Sequence, residues 1–218
     1  MNKELIKRIL SSIVLIPLAL FFIIKGSILF VFFISICFFI IAYEWHTMSK
    51  KNYYYFYGLI FLIFSFLTIY ILRIESNNYL ATLFVLTICV STDIGGYVFG
   101  KLFKGPKLTK ISPNKTLSGV LGSFVFSLST VFLLGFIVEI VSGIESNSFF
   151  KTRYFVLAII FSIAAQLGDL TISYLKRLEK IKDTGKILPG HGGIFDRIDG
   201  LIFVIILAYI VYNLKLFP

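Results

Sequence analysis

Long apolar segments, separated by short polar connections, follow one another along almost the whole chain. Seven of these segments are long enough to be candidate membrane spans. They cover roughly residues 9–24, 27–45, 53–72, 79–99, 119–142, 153–175 and 200–216. Because backbone groups in lipid must find hydrogen-bond partners within their own segment, each span is predicted to be an α-helix. The pattern therefore predicts an all-α, polytopic integral membrane protein with a single membrane domain over residues 1–218.

The composition supports this fold class and excludes several kinds of site. The chain has 218 residues, of which 58% are hydrophobic and 15% are charged, too little polar surface for a soluble domain of this size. The net charge is +10, but the basic residues lie between the spans. This position indicates that the charge sets the orientation of the chain in the membrane and does not bind nucleic acid. Both cysteines, Cys37 and Cys89, lie in apolar segments, and the chain has two histidines. Neither a disulfide framework nor a zinc site is therefore predicted.

The positive charges in the connections predict the orientation of the chain. With the N-terminus in the cytoplasm, the basic residues on the outer side are limited to Lys25, Arg73, Lys151, Arg153 and Lys215. All other Lys and Arg residues then face the cytoplasm, as the positive-inside rule requires. This orientation places two polar loops, residues 100–118 and 176–199, on the cytoplasmic face.

Polar residues form a stripe at the end of the sixth predicted span. The stripe follows helical spacings of three and four residues through Gln166, Asp169, Ser173, Lys176 and Lys180. A carboxylate within the membrane costs roughly 2.5–3.5 kcal/mol on insertion scales, so this face should line a cavity or contact partners. The alternative is a simple ion pair between Asp169 and a neighbouring lysine, but such a pair does not explain Gln166 and Ser173.

The loop over residues 176–199 combines acids, bases and glycines. Its tight turn, which allows close approach of a ligand to the backbone, contains Pro189, Gly190, Gly192 and Gly193. Asp196 and Asp199 are predicted to share a face at the start of the last helix, where metal binding and ordinary N-terminal capping are both possible. Carboxylates suit hard divalent cations, and Lys, Arg and backbone N–H groups suit phosphates. The combination indicates metal-assisted chemistry on a phosphate at a membrane surface.

A third group of candidate residues surrounds the end of the fourth predicted span. Asp93 lies inside this span, and intramembrane acids are candidates for functional sites. Gly95 and Gly96 permit close helix packing. The loop that follows contains no acid and five lysines, namely Lys101, Lys104, Lys107, Lys110 and Lys115. It is suited to phosphates or anionic headgroups, although the positive-inside rule alone also accounts for much of its charge.

Two blocks of sequence carry these motifs. The longer block contains Ser173-Tyr-Leu-Lys176-Arg177, Lys182-Asp183, Pro189-Gly190-His191-Gly192-Gly193 and Phe195-Asp196-Arg197-Ile198-Asp199. The other block contains Asp93-Ile-Gly-Gly-Tyr97-Val-Phe-Gly100-Lys101 and Ser112-Pro113-Asn114-Lys115-Thr116. Together they resemble the signature of the phosphatidate cytidylyltransferases, also called CDP-diacylglycerol synthases, over about residues 91–200. The chain departs from that pattern at Asn114 and Ser118, where the family usually has Lys and Glu.

The resemblance implies a reaction and its requirements. CMP would be transferred from CTP to phosphatidic acid, with loss of pyrophosphate, in an Mg²⁺-dependent step of phospholipid biosynthesis; a second metal or a monovalent cation remains open. The partners would be CTP, phosphatidic acid and membrane lipids, with a homodimer as the assembly. We expect the protein in the bacterial inner membrane, with its N-terminus and active site facing the cytoplasm. Residues 1–90 would supply N-terminal helices, 91–200 the catalytic region and 200–218 the last helix.

The same resemblance implies roles for individual residues. Catalytic roles fall on Asp169, Asp196, Lys176 and Arg177. The resemblance implies that Asp169 and Asp196 bind the metal as a pair, and that Asp93, Asp183 and Asp199 are additional metal-binding candidates. Substrate binding falls on Ser112, Lys115, Ser173, Lys182, His191, Gly192, Gly193 and Arg197.

Two alternatives to this function are open from the sequence. One is a CTP-dependent enzyme with another lipid acceptor, such as a polyprenol kinase or an archaeal-type lipid cytidylyltransferase. The other is an ion-coupled transporter in which Asp93 and Asp169 are the coupling acids. A transporter should have inverted repeats with acids in both halves. The acids of this chain cluster in its second half, which favours the enzyme.

Overall fold

The computed structural model describes residues 16–74, 79–109, 112–113, 115–142, 151–187 and 192–216. Over these residues the chain is built from helices, which confirms the predicted all-α class. The helices are α1 (Ile16–Lys25), α2 (Ser27–Ser49), α3 (Tyr55–Ile74), α4 (Tyr79–Phe103), α5 (Leu117–Ser142), α6 (Thr152–Leu178), α7 (Phe195–Ile198) and α8 (Leu201–Asn213).

Five helices, α2 to α6, are long and apolar enough to cross a membrane. This confirms a polytopic membrane protein, whereas the count of seven spans stays a prediction. The first predicted span, residues 9–24, begins outside the described residues. The last helix, α8, has 13 residues, so it extends for about 20 Å and is shorter than a hydrocarbon core of about 30 Å.

Several helices continue beyond their apolar segments into polar sequence. The second span was predicted to end at residue 45, but α2 extends to Ser49, and α6 extends three residues beyond its predicted end at 175, to Leu178. Hydropathy marks only the part of a helix that suits lipid, while the backbone hydrogen bonds continue into polar residues. As a result, Glu44 and Lys176 lie on helices that reach into the polar end of the molecule.

The prediction that Asp196 and Asp199 share a face is confirmed, since both approach Nζ of Lys176, but their placement at the start of the last helix was wrong. Asp196 lies in the separate short helix α7, and Asp199 follows α7 directly, before α8 begins at Leu201. The Oδ1 atom of Asp199 accepts a hydrogen bond from the N–H of Gly200 at 2.9 Å. This local side-chain bond competes with helical hydrogen bonding and accompanies the break between the two helices.

Two buried clusters hold the helices around the polar end. One joins α4, α6 and α8 through residues that include Ile88, Phe161 and Val204. The other places α7 against α2 and α3 through Trp45, Leu62 and Phe195. The second cluster therefore carries packing from the N-terminal helices directly to the segment that contains Asp196.

The glycines of α4 allow α5 to approach closely, as the sequence predicted. A Cβ atom on Gly95 would lie 2.4 Å from the carbonyl oxygen of Gly122, which is too short for a contact between non-bonded atoms. A Cβ atom on Gly96 would lie 2.9 Å from Oγ of Ser123. This contact between backbones fixes α4 beside α5 and with it the position of Asp93.

Candidate active site

Asp196 is the centre of the polar loop, residues 176–199. Its Oδ1 atom accepts a hydrogen bond from Nζ of Lys176 at 2.8 Å. Its Oδ2 atom accepts bonds from the N–H of Thr184 at 2.8 Å and the N–H of Gly193 at 2.9 Å, and the hydroxyl oxygen of Thr184 lies 3.1 Å from it. The side chains of Lys176 and Asp196 are 9% and 5% exposed. The two ends of the loop are thus held together around one buried ion pair.

Lys176 connects this ion pair to a further acid. Its Nζ atom lies 3.7 Å from Oδ2 of Asp199, and it occupies the last turn of α6. A buried ammonium group requires a nearby anion to offset the loss of hydration, and here the carboxylate of Asp196 supplies it, while Asp199 lies farther from Nζ. Lys176 therefore lies between the two acids of the loop, a contact that was not predicted from the sequence.

The rest of the predicted stripe on α6 is confirmed only in part. Ser173 donates its hydroxyl hydrogen to Oδ1 of Asp169 at 3.2 Å, so these two residues share the face of Lys176. Gln166 contacts Ser162 through its amide nitrogen, at 3.3 Å. Lys180 does not belong to the stripe, because α6 ends at Leu178 and Lys180 is exposed with a φ of 56°. The chain turns away from the helix there.

Asp169 pairs with a lysine from the other polar loop. Nζ of Lys115 lies 2.5 Å from Oδ2 of Asp169, and the two side chains are 27% and 29% exposed. The alternative to a functional role was an ion pair of Asp169 with a neighbouring lysine. Asp169 does form an ion pair, but its lysine comes from the segment between α4 and α5. Both groups remain partly accessible, unlike the Lys176–Asp196 pair.

Three acids from different parts of the chain influence one another electrostatically at this end of the molecule. Asp93 on α4 is close enough to Asp169 for the two carboxylates to repel, and Lys115 and Arg197 attract it. Asp199 is in turn repelled by Asp169 and Asp93. We call Asp93, Asp169 and Asp199 the acid cluster. The fold has therefore brought α4, α6 and the α7–α8 junction to one negatively charged region.

The donor groups of this region suit a hard cation. Among the residues that the structure describes, no three His, Cys, Asp or Glu side chains stand close enough together to surround one ion. Mg²⁺ needs no such set, since it is commonly held by one or two carboxylates together with water and substrate phosphates. The ammonium group of Lys115 already occupies a cation position at Asp169. The residues therefore fit Mg²⁺, and its ligands stay a prediction.

Other predicted site residues lie around this region. Arg177 is exposed, and its Nη1 atom donates to the carbonyl oxygen of Ile181 at 2.8 Å, which supports the loop and does not bring Arg177 to the acids. Lys182 and Asp183 are exposed, and a Cβ atom on Gly192 would lie 3.1 Å from Cβ of Asp183. Arg197 is exposed and attracts Asp93.

Of the predicted substrate-binding residues Ser112 and His191, only Ser112 lies among the described residues. Ser112 is half-buried, and its N–H donates to the hydroxyl of Thr109 at 3.2 Å within the α4–α5 connection. His191 lies outside the described residues. Neither role is tested by these positions.

Glu44 was not among the functional residues predicted from the sequence. This residue of α2 is 2% exposed, and its carboxylate accepts hydrogen bonds from the hydroxyl of Thr184 and from the backbone N–H groups of Ile194 and Phe195. It comes from the first 90 residues, to which no functional residue was assigned. The available signal was an acid near the end of an apolar span, the same signal that identified Asp93.

A second acid joins the N-terminal helices to α6. Oε1 of Glu179 accepts hydrogen bonds from Nδ2 of Asn52 at 2.7 Å and from the hydroxyl of Tyr54. Partial burial, and next the bond to Glu179, raise the pKa of the Tyr54 hydroxyl well above its ordinary value, so the group remains a donor. The α2–α3 connection is thereby attached to the end of α6.

The surroundings of Asp199 favour its neutral form. The pKa of Asp199 is raised to about 7, first because the group is buried and second because the carboxylate of Asp169 lies nearby. The ammonium group of Lys176 and the N–H of Gly200 oppose this rise. A proton is therefore retained on Asp199 over a range in which an exposed aspartate has already lost it.

The raised pKa predicts that stability falls as the pH rises. The unfolded chain ionises Asp199 near 3.8 and the folded chain near 7, so the contribution is complete below the lower value and lost through the higher one. We expect the Tm of the detergent-solubilised protein to fall between about pH 4 and about pH 7, the interval between the two pKa values. Asp199→Asn should flatten this profile, and an equal decline in the variant would contradict the assignment.

The comparisons with known proteins agree with this arrangement. The model of the Cytidylyltransferase family matches residues 6–78 and, in an overlapping match, residues 53–215. A phosphatidate cytidylyltransferase of Rickettsia felis is 37% identical over 198 residues, which are 89% of this chain and 86% of the relative. One of Rickettsia bellii is 35% identical over 99% of this chain and 94% of the relative. One of Brucella suis is 37% identical over 70% of this chain and 54% of the relative.

These matches include both sequence blocks and the N-terminal helix that carries Glu44. The matched residues also include every acid and lysine of the region described above. The resemblance noted from the motifs is thereby confirmed, and the chain belongs to the Cytidylyltransferase family.

Proposed function

We propose that this protein transfers the cytidylyl group of CTP to phosphatidic acid, giving CDP-diacylglycerol and pyrophosphate. The observation that carries the proposal is the 35–37% sequence identity to phosphatidate cytidylyltransferases over 89–99% of the chain. The structure adds a consistent site, since the acid cluster and the Lys176–Asp196 pair lie at one polar end of apolar helices. A phosphate substrate on a lipid anchor can reach such a site from the membrane.

The chemistry requires charge neutralisation more than a base. An oxygen of the phosphatidate phosphate attacks the α-phosphorus of CTP, and the bond from this phosphorus to the bridging oxygen of the β-phosphate breaks. The electron pair of that bond leaves with pyrophosphate. Because the nucleophile is already an anion, the protein must hold two anions in line and offset their repulsion. Lys115, Lys176 and Arg197 provide positive charge beside the acids.

We propose Asp169 and Asp196 as the principal Mg²⁺ ligands, supported by Asp93 and Asp199, with Asp183 at the margin. A bound Mg²⁺ would offset negative charge on the CTP phosphates and on the leaving pyrophosphate. Oδ1 of Asp196 accepts one bond, from Lys176, and so retains a lone pair for a ligand. Lys115 is well placed to exchange the carboxylate of Asp169 for a substrate phosphate. Substitutions of Asp169 and Asp196 test their two roles separately.

The remaining cationic and polar groups of the two loops complete the proposed substrate site. Arg177 and Lys182 would contact the triphosphate or the lipid phosphate from the margin, where both are exposed. Ser112 and Ser173 would contribute hydroxyl groups and Gly192 its backbone N–H group. Gly193, whose N–H donates to Asp196, would let the substrate approach the backbone closely.

We further propose that this polar end faces the cytoplasm of a bacterial cell, across the inner membrane. The proposal is supported by the contact of Glu44 with Phe195, which joins α2 to one polar loop, and by that of Lys115 with Asp169, which joins the other polar loop to α6. The lysine-rich connections concentrate at that end, which supports a cytoplasmic location. A homodimer is the expected assembly, and crosslinking in native membranes would detect it.

The decisive test is pyrophosphate release by the purified, detergent-solubilised protein. With CTP, Mg²⁺ and phosphatidic acid together we expect release, and omission of the lipid or addition of EDTA should abolish it. The companion product should be CDP-diacylglycerol, identified by mass. Release with a polyprenol or an archaeal-type lipid instead of phosphatidic acid would reassign the acceptor. No release with any lipid, from protein that remains folded, would overturn the proposal.

A further inference from the structure

We propose that Glu44, on α2, is a positioning residue for the transfer reaction. It fixes Thr184 and the backbone of residues 193–195, and through them it sets the orientation of the Asp196 carboxylate. The inference rests on the proposed function for its link to turnover. Its structural part, the attachment of the polar loop to α2, is testable independently of any substrate.

The hydrogen bonds of Glu44 are directed to one short segment of the polar loop. Oε1 accepts a bond from the N–H of Ile194 at 3.1 Å, and Oε2 accepts one from the N–H of Phe195 at 2.8 Å. The preceding N–H, that of Gly193, donates to Oδ2 of Asp196 at 2.9 Å. Three consecutive backbone donors at the start of α7 are therefore satisfied by two carboxylates. The position of α7 depends directly on an acid that lies about 150 positions earlier in the sequence.

Thr184 couples the two carboxylates. Its hydroxyl lies 3.1 Å from Oε2 of Glu44 and 3.1 Å from Oδ2 of Asp196, while its N–H donates to the same oxygen of Asp196 at 2.8 Å. Thr184 is itself buried, at 7% exposure. A displacement of Glu44 is thus transmitted through Thr184 to Oδ2 of Asp196, the oxygen that also accepts the N–H groups of Thr184 and Gly193.

The backbone of the loop approaches Glu44 at two glycines. A Cβ atom on Gly193 would lie 2.3 Å from Oγ1 of Thr184 and 2.5 Å from Oε2 of Glu44. A Cβ atom on Gly185 would lie 2.5 Å from Oε1 of Glu44. Glycine at these positions lets the chain pass the carboxylate at hydrogen-bonding distance. This gives Gly193, predicted as a substrate-binding residue, a second reason for its lack of a side chain.

An amide cannot replace the carboxylate in this arrangement. Both oxygens of Glu44 accept backbone N–H groups, whereas glutamine has a single acceptor oxygen and an NH₂ group. In Glu44→Gln, the NH₂ group would face a donor of Ile194 or Phe195. At 2% exposure water cannot relieve that contact, so the start of α7 must move.

The first experiment compares Glu44→Gln with Glu179→Gln. Glu179 is the matched control, because it also joins the N-terminal helices to the end of α6, but its bonds go to Asn52 and Tyr54. We expect Glu44→Gln to lower kcat by about 100-fold, since small misplacements of catalytic groups have effects of that size. The KM for phosphatidic acid should remain unchanged. Glu179→Gln should retain kcat per folded molecule to within about threefold.

The second measurement uses Trp45, the single tryptophan of the chain. Its ring is 2% exposed and packs edge-to-face on Phe195, with 6.0 Å between ring centroids. Acrylamide quenching of its fluorescence therefore reports whether α7 stays on α2. Thr184→Val, which leaves α2 unaltered, removes the shared hydroxyl and serves as the second variant. We expect increased quenching in Glu44→Gln and a lower kcat in both variants.

The kcat and quenching measurements together decide whether Glu44 is a positioning residue. Wild-type kcat in both Glu44→Gln and Thr184→Val would overturn it, as would equal losses in Glu44→Gln and Glu179→Gln. A lower kcat in Glu44→Gln with unchanged Trp45 quenching and full activity in Thr184→Val would also contradict it. If the wild-type protein releases no pyrophosphate, the proposed function fails. Increased quenching in Glu44→Gln would then still support the attachment of the loop, and unchanged quenching would contradict it.

Discussion

Asp169→Asn should reduce pyrophosphate release by about three orders of magnitude, equivalent to about 4 kcal/mol of transition-state stabilisation. Asparagine has the size of aspartate and its oxygen can still accept the hydroxyl of Ser173, which lies 3.2 Å from Oδ1. What it loses is the negative charge that pairs with Lys115 and that we propose holds Mg²⁺. The measurement is steady-state release at saturating CTP and phosphatidic acid.

The structure provides two controls for this variant. Ser173→Ala removes the hydrogen bond to Asp169 but leaves the charge, so its effect should be about tenfold or less. Glu139→Gln removes an exposed acid of α5 and should leave activity unchanged. Full turnover by purified Asp169→Asn would remove this residue from the metal site, whatever the result for the other acids.

Asp196→Asn should lower both activity and stability. Asp196 and Lys176 are 5% and 9% exposed, and breaking a buried ion pair by altering one partner destabilises proteins by about 3–5 kcal/mol. The variant should therefore show a reduced Tm in detergent. Turnover should fall by at least about 100-fold per folded molecule, because both the proposed metal ligand and the anchor of the polar loop are altered.

A double variant separates the two effects. Lys176→Met combined with Asp196→Asn removes the whole pair, and such a replacement is often close to neutral for stability. We expect the double variant to recover most of the lost Tm and none of the lost turnover. Recovery of both would show that the pair is purely structural. Failure to lower the Tm in Asp196→Asn would contradict the buried ion pair itself.

The features that the sequence predicted well are those with local physical causes. Apolar length predicted membrane helices, and the spacing of Asp169, Ser173 and Lys176 predicted a shared face, since both properties belong to one continuous helix. The same reasoning failed at Lys180. Periodicity assumes that the helix continues, whereas α6 ends at Leu178. The division between α7 and α8 was missed for a similar reason, because a single hydrogen bond from Gly200 to Asp199 is not visible in a hydropathy pattern.

The partners of the polar groups were decided only by the tertiary structure. Four acids could be identified as candidates from the sequence, because ionisable groups are energetically costly at a membrane and are usually retained there for function. They are Asp93, Asp169, Asp196 and Asp199. Which cation each acid meets, Lys115 for Asp169 and Lys176 for Asp196, depends on how separate helices pack. From the sequence alone, a helical membrane protein could be predicted, with candidate phosphate-binding groups in two polar loops. Only the folded chain brought Glu44 to those loops, because a hydrogen bond between residues 140 positions apart follows from packing and not from any local pattern.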